Sequence, residues 1–329
     1  MKKLLRAIAS LLAVLLLAFC TFYFWAQGAN WQAPEHTKIL HLDTASPEND
    51  STFSLLTYNI GYLSGMTNNE AVKREQALFN NNLTQAQNLI HQLKPDILCF
   101  QEIDYASSRS YEINQEEAIA KTDYPYVARA VNWDKKYVAF PYWPISMHFG
   151  KIVSGQSVLS KYPIEGQTVD TLARVASAPF FYNAFYLERL AQIAKVKIDQ
   201  RDLIVINVHL EAFDRETRRI HTEKILALYK QYSKDYPVIL CGDFNSSPDE
   251  KEATIQLLLQ AGIATASLPS SSITTGNFDK TYNSLHPTER LDYIFYTDDK
   301  INLLESRLVK EAGQISDHLP LLAQFSFKQ

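Results

Sequence analysis

Seven short segments place an acid, an amide or an imidazole where an apolar run ends or begins. TYNIG carries Asn59, FQEID carries Glu102, and NVHL carries Asn207 and His209. CGDFN carries Asp243 and Asn245, RLDYIF carries Asp292, and SDH carries Asp317 and His318. The seventh, SGQSVLSKYPI, contributes the amide of Gln156. Carboxylate and amide oxygens coordinate hard divalent cations, while a positioned carboxylate or imidazole moves protons. Taken singly, each residue has a plain explanation. Asn59 and Asp317 suit turns, Glu102 is a helix or loop charge, and His209 is a core histidine with its bonds satisfied. Asp243 and Asn245 would serve as a turn or cap before Pro248. Taken together the balance reverses, because polar side chains flanking buried strands cost free energy unless they are paired or coordinated.

These residues need a scaffold of strands. Residues 53–59 form a β-run, and apolar spacing over about 70–93 predicts a helix that Asn80, Asn81 and Asn82 interrupt and Pro95 stops. A short strand follows over 96–101 and a helix near 114–121. Short strands are expected at 126–130, 157–160, 164–172, 190–198 and 203–210. The last of these carries Asn207 and His209 on one face, since residues two apart on a strand point the same way. A helix near 214–234, a strand over 238–241 and a helix near 250–261 come next. Residues 262–283 read as mostly loop, and strands at 291–296, 303–309 and 319–327 close the chain. Helices between apolar strands in both halves imply two sheets packed face to face with helices outside.

In this order, TYNIG, FQEID, SGQSVLSKYPI, NVHL, CGDFN, RLDYIF and SDH resemble the endonuclease/exonuclease/phosphatase superfamily, which includes DNase I, exonuclease III and neutral sphingomyelinases. The resemblance covers residues 53–327 and implies a four-layer α/β sandwich. It implies that Glu102 is the main divalent-metal ligand, with Asn59 beside it, and that the metal is Mg²⁺, with Mn²⁺ the other candidate. By the same resemblance Asp243 orients or deprotonates the attacking water and Asn245 bonds the same region. His318 contacts the scissile phosphate with Asp292 as its carboxylate partner, and Asp317 lies near the metal or the leaving group. His209 stands where the DNase I and sphingomyelinase branches carry His and the abasic-site endonucleases carry Tyr. Gln156 departs from the family's usual residue at its position, so no role is carried over to it.

The bulk composition bounds the reading. A chain of 329 residues, 46% hydrophobic and 21% charged, buries a substantial core. It has 32 basic and 36 acidic residues; without Lys2, Lys3 and Arg6 the balance is 29 to 36, near −7. That tilts against a dedicated polyanion binder, whose affinity comes from basic side chains. Cys99 and Cys241 each end an apolar run and read as core thiols. Residues 1–26 read as a membrane anchor or uncleaved signal segment: Lys2, Lys3 and Arg6 precede an apolar stretch of the ~20 residues a span requires. The basic end stays cytoplasmic, Phe22–Trp25 mark the far interface, and the catalytic domain is extracytoplasmic. Lipidation at Cys20 is the second reading. Residues 27–52 read as a linker and 53–329 as the catalytic domain.

For substrate, the segment 131–150 is dense in large apolar side chains, and Phe180, Phe181 and Tyr182 form a second run. These either pack under long loops or present an apolar edge to lipid. Trp133, Trp143 and Phe149, with Asn207, are the expected substrate-binding residues. The reading is an Mg²⁺-dependent phosphodiesterase acting on a phospholipid or sphingolipid headgroup at a lipid bilayer. A membrane-tethered nuclease is the alternative, and a non-catalytic module reusing the fold is the third. The sequence singles out no protein partner.

Overall fold

The computed structural model describes residues 1–42, 52–266, 268, 272 and 276–328. The apolar N-terminal stretch is one helix, α1 (Lys2–Ala26). A short helix, α2 (Ala33–His36), leads into strand β1 (Thr37–His41), which pairs antiparallel with β4 (Tyr126–Val138). This corrects the reading of 27–52 as linker. A five-residue strand on a sheet edge has too few alternations to show in the sequence, and its pairing is nonlocal. Residues 43–51 lie outside the described residues.

Seven strands form the first sheet in the order β1, β4, β5 (Gly150–Ser160), β3 (Ile97–Asp104), β2 (Thr52–Asn59), β13 (Leu321–Phe327), β12 (Ile301–Leu308). Six form the second: β10 (Ala264–Ala266), β11 (Asp292–Tyr296), β9 (Val238–Asp243), β8 (Arg201–His209), β7 (Leu190–Ile198), β6 (Ile164–Thr171). Each sheet has one parallel pair, β2 with β3 and β8 with β9. Such pairs need a crossover, and the crossovers are α3 (Gln76–Leu93) and α6 (Arg215–Tyr232). The expected four layers are therefore present. Helices α3 and α4 (Gln115–Asp123) cover one sheet, α6 and α7 (Gln256–Gln260) the other, and α5 (Phe180–Phe185) sits on a connection.

Local chemistry sets two of the helix starts. Asp214 caps α6 by accepting from the Thr217 amide at 2.8 Å, and Asn114 caps α4 from Glu117 at 3.1 Å. Helix α3 starts later than the apolar spacing suggests, and its asparagine run does not break it. Asn82 is buried and donates to the Leu63 carbonyl at 2.9 Å, anchoring the helix to the loop after β2. Strands β4 and β5 run far beyond the predicted 126–130 and 157–160, because their outer halves mix polar and apolar residues across register shifts, with Asp134 opposite Val153 and Lys135 opposite Ile152, and show no clean alternation in the sequence. Strand β10 falls in the stretch read as loop. Cys99 and Cys241 are free and buried, as expected of core thiols.

Two glycines fix close approaches near the chemistry. A Cβ on Gly242 would lie 2.0 Å from the Val208 carbonyl oxygen, so the glycine lets β9 carry Asp243 tightly along β8. Gly61 has φ +53° and faces Ser316 and Asp317, where a Cβ would meet their side-chain oxygens at 2.8 and 2.9 Å.

Candidate active site

Both parallel pairs end at the same edge of the sandwich, and the strand ends deliver the site. Strand β2 finishes on Asn59, and β3 carries Glu102 at a register shift two residues before its end. Glu102 has φ +52°, a conformation that turns its side chain out of the strand's alternation. Strands β8 and β9 finish on His209 and Asp243, directly opposite each other. Asp292 opens β11 opposite Asp243, and the turn before β13 brings Asp317 and His318.

The carboxylate of Asp243 lies at the centre. Its Oδ2 accepts from Asn59 Nδ2 at 2.9 Å, and its Oδ1 accepts from the Asn245 backbone amide at 2.9 Å. His209 Nε2 stands 3.6 Å and His318 Nε2 3.7 Å from Oδ2. Burial pushes the Asp243 carboxyl up to about 7, helped by the Asp292 charge and opposed by His318. His318 Nδ1 is 2.9 Å from Asp292 Oδ2. Burial opposes charge on this imidazole, but the Asp292 and Asp243 carboxylates outweigh it and hold its pKa well above the usual range. His209 goes the other way: burial, then the Arg189 and His318 charges, keep it neutral. The two histidines thus differ in protonation, one a charged donor and the other a neutral ring.

Glu102 and Asp317 form a second centre. Asn68 Nδ2 contacts Glu102 Oε2 at 2.8 Å and both Asp317 oxygens at 3.3 Å, so the two carboxylates converge on one amide. Burial and then Asp317 repulsion raise the Glu102 pKa. His209 Nε2 lies 3.8 Å from Glu102 Oε1. Two converging carboxylates with a small exposed face, bonded by the Asn68 amide and, at Asp317, by the Ser316 hydroxyl at 3.1 Å, are an oxygen donor set that fits a hard divalent cation. Asp243, Asp292 and His318 also bring one ligand atom each within 4.8 Å of one another. There His318 Nδ1 is already bonded to Asp292 and the ring is held charged, so neither nitrogen offers a lone pair, and Glu102 and Asp317 suit a metal better.

Other residues land elsewhere than the sequence reading puts them. Asn207 is fully buried: it accepts from Gln101 at 2.6 Å and donates to the Phe100 carbonyl and Gln192 at 3.0 and 3.1 Å. With Gln156, which donates to the Asn207 carbonyl at 3.0 Å, it belongs to an amide network joining the two sheets beneath the site. It is not a substrate contact. Asn59 has both ends engaged, its Oδ1 accepting from the Gly61 amide at 3.1 Å, and it brackets Asp243. Asn245 turns its side chain to the Leu210 carbonyl at 3.1 Å. Trp133 and Phe149 are buried together with Val138 and Ile152 in a small core, so they do not bind substrate. Trp143 alone of the three expected aromatics is exposed.

Three residues escaped the sequence reading. Asn68 sits in a turn-rich stretch just before the expected helix, in a segment the sequence reading assigned to no element. Tyr282 sets its ring at a tilt 5.1 Å from that of His318, from a segment read as loop. Arg189 is buried beside Glu211 at 3.7 Å, and Nη1 has no hydrogen-bond partner. Its only sequence signal is a charge directly before an apolar strand.

The model of the endonuclease/exonuclease/phosphatase family matches residues 56–318. A UPF0294 protein of Vibrio cholerae is 29% identical over 127 residues, 39% of this chain and 41% of that protein. The alignment thus spans about two fifths of the relative. A solved endonuclease/exonuclease/phosphatase from Beutenbergia cavernae superposes with TM-score 0.60 at 18% identity, covering 84% of this chain and 72% of that one. The human Nocturnin catalytic domain, solved with bound sulfate, gives 0.57 at 20% identity over 89% and 98%. With the family match running from the first site-bearing strand to His318, the chain belongs to the endonuclease/exonuclease/phosphatase family and has the fold of its metal-dependent hydrolases.

Proposed function

We propose that this chain is a divalent-metal-dependent phosphodiesterase that cleaves a phospholipid or sphingolipid headgroup at a membrane surface. The observation that carries the chemistry is the convergence of Asp243, His209 and His318 on one point beside the Glu102–Asp317 pair. A phosphodiester is anionic and resists attack, so it needs positive charge at its oxygens and an oriented water. Asp243, fixed on both oxygens by Asn59 and the Asn245 amide, accepts the proton from that water. His318, kept charged by Asp292, donates to a phosphate oxygen, and neutral His209 offers a further ring N–H from the opposite wall. A Mg²⁺ or Mn²⁺ held by Glu102, with Asp317 beside it, would neutralise phosphate charge.

The lipid assignment is supported by α1, which is long and apolar enough to cross a membrane, and by an acidic net charge that disfavours polyanions. In this placement the chain is single-pass, with the catalytic domain extracytoplasmic.

The test is hydrolysis by the full chain of phosphatidylcholine, phosphatidylglycerol and sphingomyelin vesicles beside duplex and single-stranded DNA, with Mg²⁺ and with chelator. Metal-dependent release of a headgroup product, lost in Glu102→Gln, is expected. Cleavage of DNA but no lipid would make it a tethered nuclease, and full activity in chelator would remove the metal assignment.

A further inference from the structure

The strand registers place three connections on the edge where the site opens. Strand β5 runs antiparallel to β3, and β4 antiparallel to β5 with Val138 opposite Gly150, so residues 139–149 leave from the Glu102 end. In the other sheet Ala191 lies opposite Val208 and Thr171 opposite Leu190, so residues 172–189, including α5, leave from the His209 end. The chain after His209 leaves there too.

These connections expose large apolar side chains. Tyr142 and Trp143 are 77% exposed, Ile145 62%, Phe180 78%, Phe181 57% and Phe213 82%. Scattered singly they would be ordinary, but here they gather on one edge, around the active site.

The last turn of α1 enters at the same edge. The Phe22 ring lies 5.6 Å from Tyr137 at the end of β4, and the Tyr23 ring 5.5 Å from Phe185 in α5, so the helix touches the strand that leads into one aromatic connection and the other connection itself. The Lys136 amide donates to the Gly28 carbonyl at 2.8 Å, and the Asn30 amide to Asp134 at 2.7 Å. The exposed aromatics therefore continue the aromatic end of an apolar helix, the composition of a membrane–water interface.

We propose that Tyr142, Trp143, Ile145, Phe180, Phe181 and Phe213 seat in the leaflet that receives the C-terminal end of α1, so that the active site faces the bilayer. This rests on α1 lying in a membrane and not on which headgroup is cleaved. The occupant is the bilayer because the patch is continuous with α1. The arrangement brings substrate to the site from the leaflet side, and it hinders a rigid duplex from lying across the strand ends.

Site-directed spin labelling of the full chain in phosphatidylcholine/phosphatidylglycerol nanodiscs tests it. In a Cys20→Ser background, with Cys99 and Cys241 buried, nitroxides are placed through Trp143→Cys, Phe181→Cys and Phe213→Cys. Leu11→Cys in α1 and exposed Leu304→Cys on β12 serve as references. Collisions with oxygen should dominate those with a water-soluble nickel chelate at 143, 181, 213 and 11, and the reverse should hold at 304. Positions 143, 181 and 213 behaving like 304 while 11 reports lipid would overturn the seating and leave the anchor standing. A water-exposed 11 overturns both. Labels shielded from oxygen and nickel alike would mean a protein covers the patch, and that also ends the proposal. Because the labels report position and not turnover, an inactive preparation does not mimic any of these results.

Discussion

The two parallel strand pairs solve the same geometric problem and reach different chemistry. Each runs two strands to one edge and delivers a carboxylate there: Glu102 one residue past the Gln101 that lies opposite Asn59, and Asp243 opposite His209. Glu102 stands at a register shift with positive φ, keeps a small exposed face and converges on Asp317. Asp243 is buried at the end of a regular strand and held on both oxygens. Both acids are raised by burial, and the difference teaches that a small exposed face and free bonding capacity, more than residue type, separate a carboxylate suited to a cation from one suited to a proton. Desolvation lifts Asp243 towards neutrality, where a base is most effective. The open face of Glu102 leaves room for a hydrated ion.

The strongest way to break that contrast is Asp243→Asn. If Asp243 is the base, kcat should fall by ~10²–10⁴-fold with metal affinity unchanged, as steady-state kinetics over a Mg²⁺ titration would show. A shift in the metal midpoint instead would make the two carboxylates equivalent. A smaller effect is expected at Asn68, which touches both acids of the other pair. Asn68→Ala should weaken metal affinity by ~10–100-fold while saturating metal restores most of kcat. Isothermal titration with Mn²⁺ measures it, and an unchanged affinity would remove Asn68 from the metal's surroundings.

The smallest effect is on stability. The Asp243 carboxyl is raised from 3.8 to about 7 by burial. A raised carboxyl binds its proton more tightly when folded, so its contribution is full below pH 3.8 and is lost as pH rises through about 7. In chelator, the Tm of the native chain relative to Asp243→Asn should therefore decline by a few degrees across that window. A flat difference would mean that Asp243 is not desolvated as the structure places it.

The fold class and most of the site were legible because the relevant signals are local. Apolar runs of strand length, capping residues such as Asp214, and acids at run ends survive in a single sequence. What was illegible depends on contacts far along the chain. Thr37–His41 is a strand only because β4 offers an edge. Asn207 shares its face with His209, yet its depth, set by the facing sheet, makes it a structural amide. Trp133 and Trp143 look alike in sequence, but Trp133 donates to the Phe185 carbonyl at 2.7 Å and is buried. Trp133→Ala should cost ~3–5 kcal/mol in chemical denaturation, and Trp143→Ala within ~0.5 kcal/mol. The signal Arg189 gave, a charge before a strand, is ordinary on a surface, and only the packing around it reveals its burial.

The hydrogen bonds that fasten Gly28, Asn30 and Trp31 to β4 have a consequence for the rate law. A long loose tether lets a domain sample a range of heights above its anchor and averages over them. Here the chain passes from helix into sheet with no slack, so in the proposed placement the catalytic centre rides at one height and searches in two dimensions. Turnover should then follow the mole fraction of substrate in the leaflet. Dilution with an inert lipid at constant total lipid would slow the enzyme, whereas adding more vesicles of the same composition would leave each anchored molecule's rate unchanged.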